Sequence, residues 1–243
     1  MQKILILGCS YSAGSYKLRT LPEKINISNL NHKKFKFMAP IIDFVDNYYG
    51  WWYFCDFFKD KDVTVVTIPG QGYLGYLQVL IQLVEDLKYH FDLIVVQETR
   101  EPRISFTNYI TNNIALQNPE FVGNFKYVHI ESRHSFHLSP CRKQNYQEYS
   151  IHQTFNKILS RSAGNKLQEF AYDNNIKGYR FNFTDIVDLD NTYFPLINLG
   201  LQHTLLKELH EKKLLVTDSD DCHQTEEGNK YIANILDRSL FKM

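Results

Sequence analysis

Three residues near the two ends of the 243-residue chain have the types and spacings that acyl transfer requires. Ser10 sits in the run Gly8-Cys9-Ser10-Tyr11-Ser12-Ala13-Gly14, directly after the apolar stretch Lys3 to Leu7. A serine in a tight turn after a strand points its hydroxyl at the carboxyl edge of a sheet. Small residues let the backbone bend there, and a following helix offers amides to an anion. A nucleophilic serine needs both an exposed oxygen and backbone donors for the oxyanion. At the other end, Asp220-Asp221-Cys222-His223 precedes a helical pattern. Asp-x-x-His in a loop lets Asp220 accept a hydrogen bond from one ring nitrogen of His223. The tautomer is then fixed, and the other nitrogen is left to take the serine proton. The unperturbed histidine pKa, near neutrality, suits a general base.

Competing readings of these segments are limited. Taken alone, Ser10 reads equally well as the cap of a first helix. The acidic residues Asp218, Asp220 and Asp221 read alternatively as a solvated helix start or as metal ligands, but the calcium-loop pattern is absent. The phosphate loop fails because Gly8 and Gly14 are one residue too far apart and Ser15 follows instead of Lys. The dinucleotide fingerprint fails because Ser10 stands where it needs Gly. The nucleophile elbow Gly-x-Ser-x-Gly fails at Ser12.

The first block resembles Gly-Asp-Ser-x-Ser-x-Gly, the opening motif of the SGNH (GDSL-like) hydrolase family, at Gly8, Ser10, Ser12 and Gly14. Cys9 replaces the family's Asp, a departure similar to phage-encoded and bacterial divergent members. The last block resembles the family's Asp-x-x-His. Gly228 keeps the glycine found five residues after the histidine, and Gln224 stands where the family often has Pro. The resemblance implies a Ser10-His223-Asp220 triad acting on small acyl esters, O-acetylated carbohydrate among them, with no cofactor and no metal. It also implies an oxyanion site. After the second strand, Pro69-Gly70-Gln71-Gly72-Tyr73 offers Gly70, with Gly72 as alternate, for a backbone donor. After the third strand the family has Gly-x-Asn-Asp, whereas this chain has Gln97-Glu98-Thr99-Arg100-Glu101-Pro102-Arg103. Gln97, Thr99 and Arg100 are the candidates for the missing third donor. Loss of one such donor costs on the order of a hundredfold to a thousandfold in rate. A second expectation therefore stands beside the first: a weak or inactive member of the same fold, serving as a ligand-binding or structural, phage-associated module. A third is a phosphoryl-ester enzyme that holds an anionic substrate with Arg100 and Arg103, although such arginines pair more often with carboxylates such as Glu98 or Glu101.

The elements that must position these residues follow from periodicity. Lys3 to Leu7, Val63 to Ile68 and Asp92 to Gln97 are short Ile/Val/Leu-rich runs ending in Gly, Pro or polar residues, the pattern of buried parallel strands. Phe125 to Ile130 and Gly178 to Phe183 are weaker strand candidates. Helical patterns span about Tyr49 to Phe58, Leu74 to Tyr89 and Ile151 to Tyr172, the last with Phe155, Ile158, Leu159 and Phe170 placed for burial. A final helix starts near Thr225, a suitable N-cap, and carries Tyr231, Ile232, Ile235 and Leu236. Alternating strands and helices imply an α/β fold, a mostly parallel sheet covered on both faces, with the active site at the carboxyl ends of its strands. The resemblance specifies a three-layer α/β/α sandwich with a flavodoxin-like sheet. One domain over residues 1–243 is expected, with insertions within about 19–46 and 103–149 that shape a lid or pocket. The second of these holds at most one weak strand.

Composition narrows the partners. Lys plus Arg and Asp plus Glu are 27 each, so the formal net charge is zero, and no global field favours nucleic acid or an anionic membrane. No apolar run approaches a membrane span, and no secretory leader is expected from Met1-Gln2-Lys3. Cys9, Cys55, Cys141 and Cys222 show no zinc or disulfide spacing, which favours a reducing, cytoplasmic setting, or a virion if a phage encodes the chain. His129, His134 and His137 carry no ligand motif. The aromatic run Tyr48 to Phe54 suits the lining of a sugar or acyl pocket, and for most of it packing against the sheet is the favoured reading.

Overall fold

The computed structural model describes residues 1–13, 16–18, 42–44, 50–68, 72–98, 104–107, 109–130, 135–138, 146–183, 193–215 and 224–242. In chain order the elements are β1 (Lys3–Gly8), β2 (Tyr16–Leu18), β3 (Ile42–Phe44), α1 (Trp51–Phe54), β4 (Asp62–Thr67), α2 (Tyr73–Ile81), β5 (Leu93–Glu98), β6 (Ile104–Thr107), α3 (Tyr109–Gln117), β7 (Glu120–Val122), β8 (Phe125–His129), β9 (Ser135–Leu138), α4 (Tyr146–Asp173), β10 (Lys177–Asn182), α5 (Leu205–Glu211) and α6 (Glu226–Leu240).

The Ile/Val-rich runs form the centre of a six-stranded sheet ordered β10-β5-β1-β4-β8-β7. Every pairing in it is parallel except β7 with β8. The chain steps from β1 to β4 on one side and then crosses to β5 on the other. That reversal opens a crevice at the carboxyl ends of the strands. The run β4-β1-β5-β10 has the flavodoxin-like order, and β8 and β7 extend the β4 edge. Two separate antiparallel pairs are β2 with β3 and β6 with β9.

Successive residues of each strand point to opposite faces, and both faces are covered. One buries Ile4, Ile6, Val63, Val65 and Val95 under Trp51 and Trp52 of α1, Leu205 and Leu209 of α5, and Ile232 and Leu236 of α6. The other buries Leu5, Leu7, Val66, Ile94 and Val96 under Tyr76 and Leu80 of α2 and Ala163, Leu167 and Ala171 of α4. The architecture is a three-layer α/β/α sandwich. Among the described residues, no helix is long and apolar enough to cross a membrane.

Several local expectations change. The helix expected over Tyr49 to Phe58 is interrupted at Cys55, leaving α1 and a 3-10 turn at Asp56–Phe58. The cause lies in α6. Asp237 accepts from Cys55 Sγ (2.8 Å), Asp56 N (2.8 Å) and Phe57 N (2.9 Å), which replaces the intrahelical acceptors. α2 passes into one π-helical turn at Gln82–Asp86 and does not reach Tyr89. In α4 the buried stripe is Ser160, Ala163, Leu167, Gln168 and Ala171, while Ile158 and Leu159 are 60% and 37% exposed and Phe170 is partly buried. α4 packs on α2, and small alanines permit that approach where the larger Ile158 and Leu159 turn outward. The side chain of Phe155 lies outside the described residues. The stretch 103–149 holds β6, α3, β7, β8, β9 and the start of α4 instead of one weak strand. Short elements of mixed polarity leave little periodic signal.

Candidate active site

The end of β1 carries the first candidate block. Cys9 is buried in the α1/α5/α6 layer, and Ser12 N donates to Cys9 O (2.9 Å), closing a single 3-10 turn at Ser10–Ser12. The helix expected after Ser10 is therefore one turn, followed by β2. Its carbonyls are taken by side chains instead of by helical amides. Gln224 Nε2 donates to Tyr11 O, Trp52 Nε1 to Ser12 O (2.8 Å), and Tyr127 OH to Ala13 O (3.0 Å). Three consecutive carbonyls thus find buried donors from α1, from β8 and from the lead-in to α6, which satisfies groups that would otherwise be costly to bury. Tyr11 also stacks on Phe183, with ring centroids 4.3 Å apart.

Ser12 is the internal bolt of this turn. Its wholly buried hydroxyl accepts from Trp51 Nε1 (2.8 Å) and donates to Gln97 Oε1 at the end of β5. Gly8 makes room for it: a Cβ there would lie 2.2 Å from Ser12 Oγ. The spacing Gly8-x-Ser10-x-Ser12 thus has a steric origin in its first and last members. Backbone alone is described at Ser10.

The carboxyl-terminal block is anchored to the same turn. Leu215 and Gln224 form an antiparallel bridge. Thr225 caps α6 by accepting from Gly228 N (3.1 Å), and its own N–H donates to Leu214 O (2.9 Å). Gly228 is required by close approach, since a Cβ would lie 2.6 Å from Leu214 O. Gln224, fully buried, donates through Nε2 both to Tyr11 O and to Asn229 Oδ1 (2.8 Å). The residue that follows His223 in sequence is therefore bonded to the residue that follows Ser10. Asp220 and His223 themselves lie outside the described residues, as do Gly70, Thr99 and Arg100.

Two consecutive residues at the end of β5 serve opposite faces. Gln97 holds the Ser12 hydroxyl; its Nε2 is buried and has no partner among the described residues. Glu98 accepts from Tyr73 OH and from Arg180 Nη1, all three side chains being 2% exposed. Tyr73 is the first residue of α2, directly after the extended Gly72. Burial pushes the Glu98 carboxyl above its ordinary range, against the opposing pull of Arg180 and Tyr73, and burial likewise raises the Tyr73 phenol. Glu98 is thus paired with Arg180, 82 residues away. Arg100 and Arg103 lie outside the described residues.

His129 at the end of β8 lies 3.1 Å through Nδ1 from Thr67 Oγ1, which in turn is 2.9 Å from Tyr127 OH. The Tyr127 proton goes to Ala13 O. With Nδ1 protonated, His129 donates to Thr67 Oγ1 and Thr67 to Tyr127 OH, which itself lies 3.4 Å from the same ring nitrogen. Among the described residues, no group of three or more His, Cys, Asp or Glu is placed to hold a metal ion. Sequence reasoning missed Ser12, Trp51, Trp52, Gln224 and Arg180 as builders of the site. Only Ser12 carried a usable signal, through its fixed spacing from Gly8.

No protein-family model and no curated protein matches the chain. Among solved structures, it is similar to the psychrotrophic esterase EstA from Pseudoalteromonas sp., in a structure inhibited by monoethylphosphonate. The identity is 13%, the match covers 100% of this chain and 98% of that one, and the TM-score is 0.48. The likeness assigns no residue and no reaction to this chain.

Proposed function

We propose that the protein is a serine hydrolase that cleaves small acyl esters, with O-acetylated carbohydrate as the substrate class that the resemblance to SGNH hydrolases implies by analogy. The single observation that carries the reading is the Gln224–Tyr11 bond, which joins the sequence neighbours of His223 and Ser10 at the carboxyl edge of the sheet. In the proposed reaction Ser10 Oγ attacks the acyl carbon and its proton passes to His223, which Asp220 orients. The oxyanion rests on the backbone amides of Ser10 and Gly70, with Gly72 as the alternate, and on a third donor from Gln97, Thr99 or Arg100. The tetrahedral intermediate collapses as His223 returns the proton to the leaving alcohol. Water, deprotonated by the same imidazole, then attacks the acyl-serine and releases the acid. Ester and water become acid and alcohol, with no cofactor in the balance. The whole of 1–243 acts as one domain in this reading, with 19–46 and 103–149 shaping the pocket.

The test is turnover of p-nitrophenyl acetate by the wild type and by Ser10→Ala. The expected loss is on the order of a thousandfold or more. Equal turnover by the two proteins would favour a non-catalytic module on this fold.

A further inference from the structure

We propose that Tyr73 and Glu98 form a positioning clamp that fixes the start of α2, and with it the Gly72 backbone, against the strand that also holds the nucleophile turn; its catalytic consequence rests on the hydrolase reading. The clamp belongs to a continuous series of hydrogen bonds across the α2/α4 face of the sheet. Phe194 N donates to Gln168 Oε1 on α4 (2.9 Å). Phe194 O accepts from Arg180 Nε on β10 (3.2 Å). Arg180 Nη1 donates to Glu98 on β5, and the same carboxylate oxygen accepts from Tyr73 on α2. Gly178 permits the arrangement, because a Cβ there would fall 1.9 Å from the Phe194 ring.

The surroundings of this series are apolar: Leu7, Ile68, Val96 and Tyr76 belong to the same layer. A buried ion pair in such a place is not the stable choice, since well-packed apolar residues of equal volume are often as stable or more so. Directional bonds do supply geometry. Gly72 has no side chain with which to cap α2, and its carbonyl accepts from the backbone amides of Gly75 (3.1 Å) and Tyr76 (3.3 Å). The Tyr73 hydroxyl ties this helix start to β5 through a polar side-chain bond. Adjacent residues of β5 then set both halves of the site in one register. Gln97 holds the nucleophile turn through Ser12, and Glu98 holds the α2 start through Tyr73. Neither Tyr73 nor Glu98 need touch substrate.

Tyr73→Phe removes only the hydroxyl. Two readouts are taken on the full chain: amide hydrogen exchange at Gly72 to Tyr76, and kcat and KM for p-nitrophenyl acetate. The expected result is faster exchange confined to those amides, with kcat lower by about tenfold and KM unchanged. Wild-type exchange at Gly72 to Tyr76 would overturn the clamp. So would faster exchange, or a lowered Tm, that leaves kcat at the wild-type value. If the wild type shows no Ser10-dependent turnover, the hydrolase reading fails by itself, and the exchange measurement alone decides whether the clamp exists.

Discussion

Gly8 and Ser12 work as one unit. The hydroxyl of Ser12 occupies the space a Gly8 side chain would need, and from there it connects Trp51 to Gln97. Gly8→Ala forces 2.2 Å and 3.2 Å approaches to Ser12 Oγ and Gln97 Oε1. The expected cost is about 1–3 kcal/mol, the usual range for overpacking a filled interior, measured by urea unfolding. The Gly-x-Ser-x-Ser spacing was legible in the sequence, and so was its place after a strand. What the middle and last serines do separately was not legible, because the partners that distinguish them, Trp51 and Gln97, lie 39 and 85 residues away from Ser12. The pairing of Glu98 with Arg180 was hidden for the same reason. Composition near Glu98 offered closer arginines, and only the register of β5 against β10 brings Arg180 beside it.

At the level of elements, α6 and its lead-in are the means by which the end of the chain reaches its beginning. Thr225 starts the helix, Gly228 lets it close on Leu214, and Gln224 reaches across to Tyr11. Gln224→Ala removes the donor to Tyr11 O and to Asn229 Oδ1. The expected result is a loss of about 1–2 kcal/mol together with a fall in ester turnover of about tenfold or more, as the segment preceding α6 loses its tie to the turn. Unchanged turnover would separate the tether from the chemistry. α6 was readable because its buried residues repeat at helical spacing and its cap is a threonine followed by acids. The break at Cys55 was not readable, since it is imposed by Asp237 from the far end of the chain. The buried stripe of α4 was misplaced because local hydrophobicity favoured Ile158 and Leu159, whereas close packing on α2 selects alanines.

For the whole molecule, alternating apolar runs were enough to indicate a parallel sheet with helices on both faces and a crevice at its carboxyl edge. The position of β8 outside β4 was not readable, because a strand's pattern reports its burial and not its neighbour. The sheet brings the turn after β1, the end of β5, the start of α2 and the start of α6 to one rim, and the proposed chemistry depends on that convergence. Its most direct test is covalent. The wild type is treated with a fluorophosphonate probe and the adduct is located by peptide mass spectrometry, with His223→Ala treated in parallel. The expected result is one adduct on the peptide containing Ser10, with labelling strongly reduced in His223→Ala. An adduct on a different residue, or labelling of Ser10 that is indifferent to His223, would contradict the assignment.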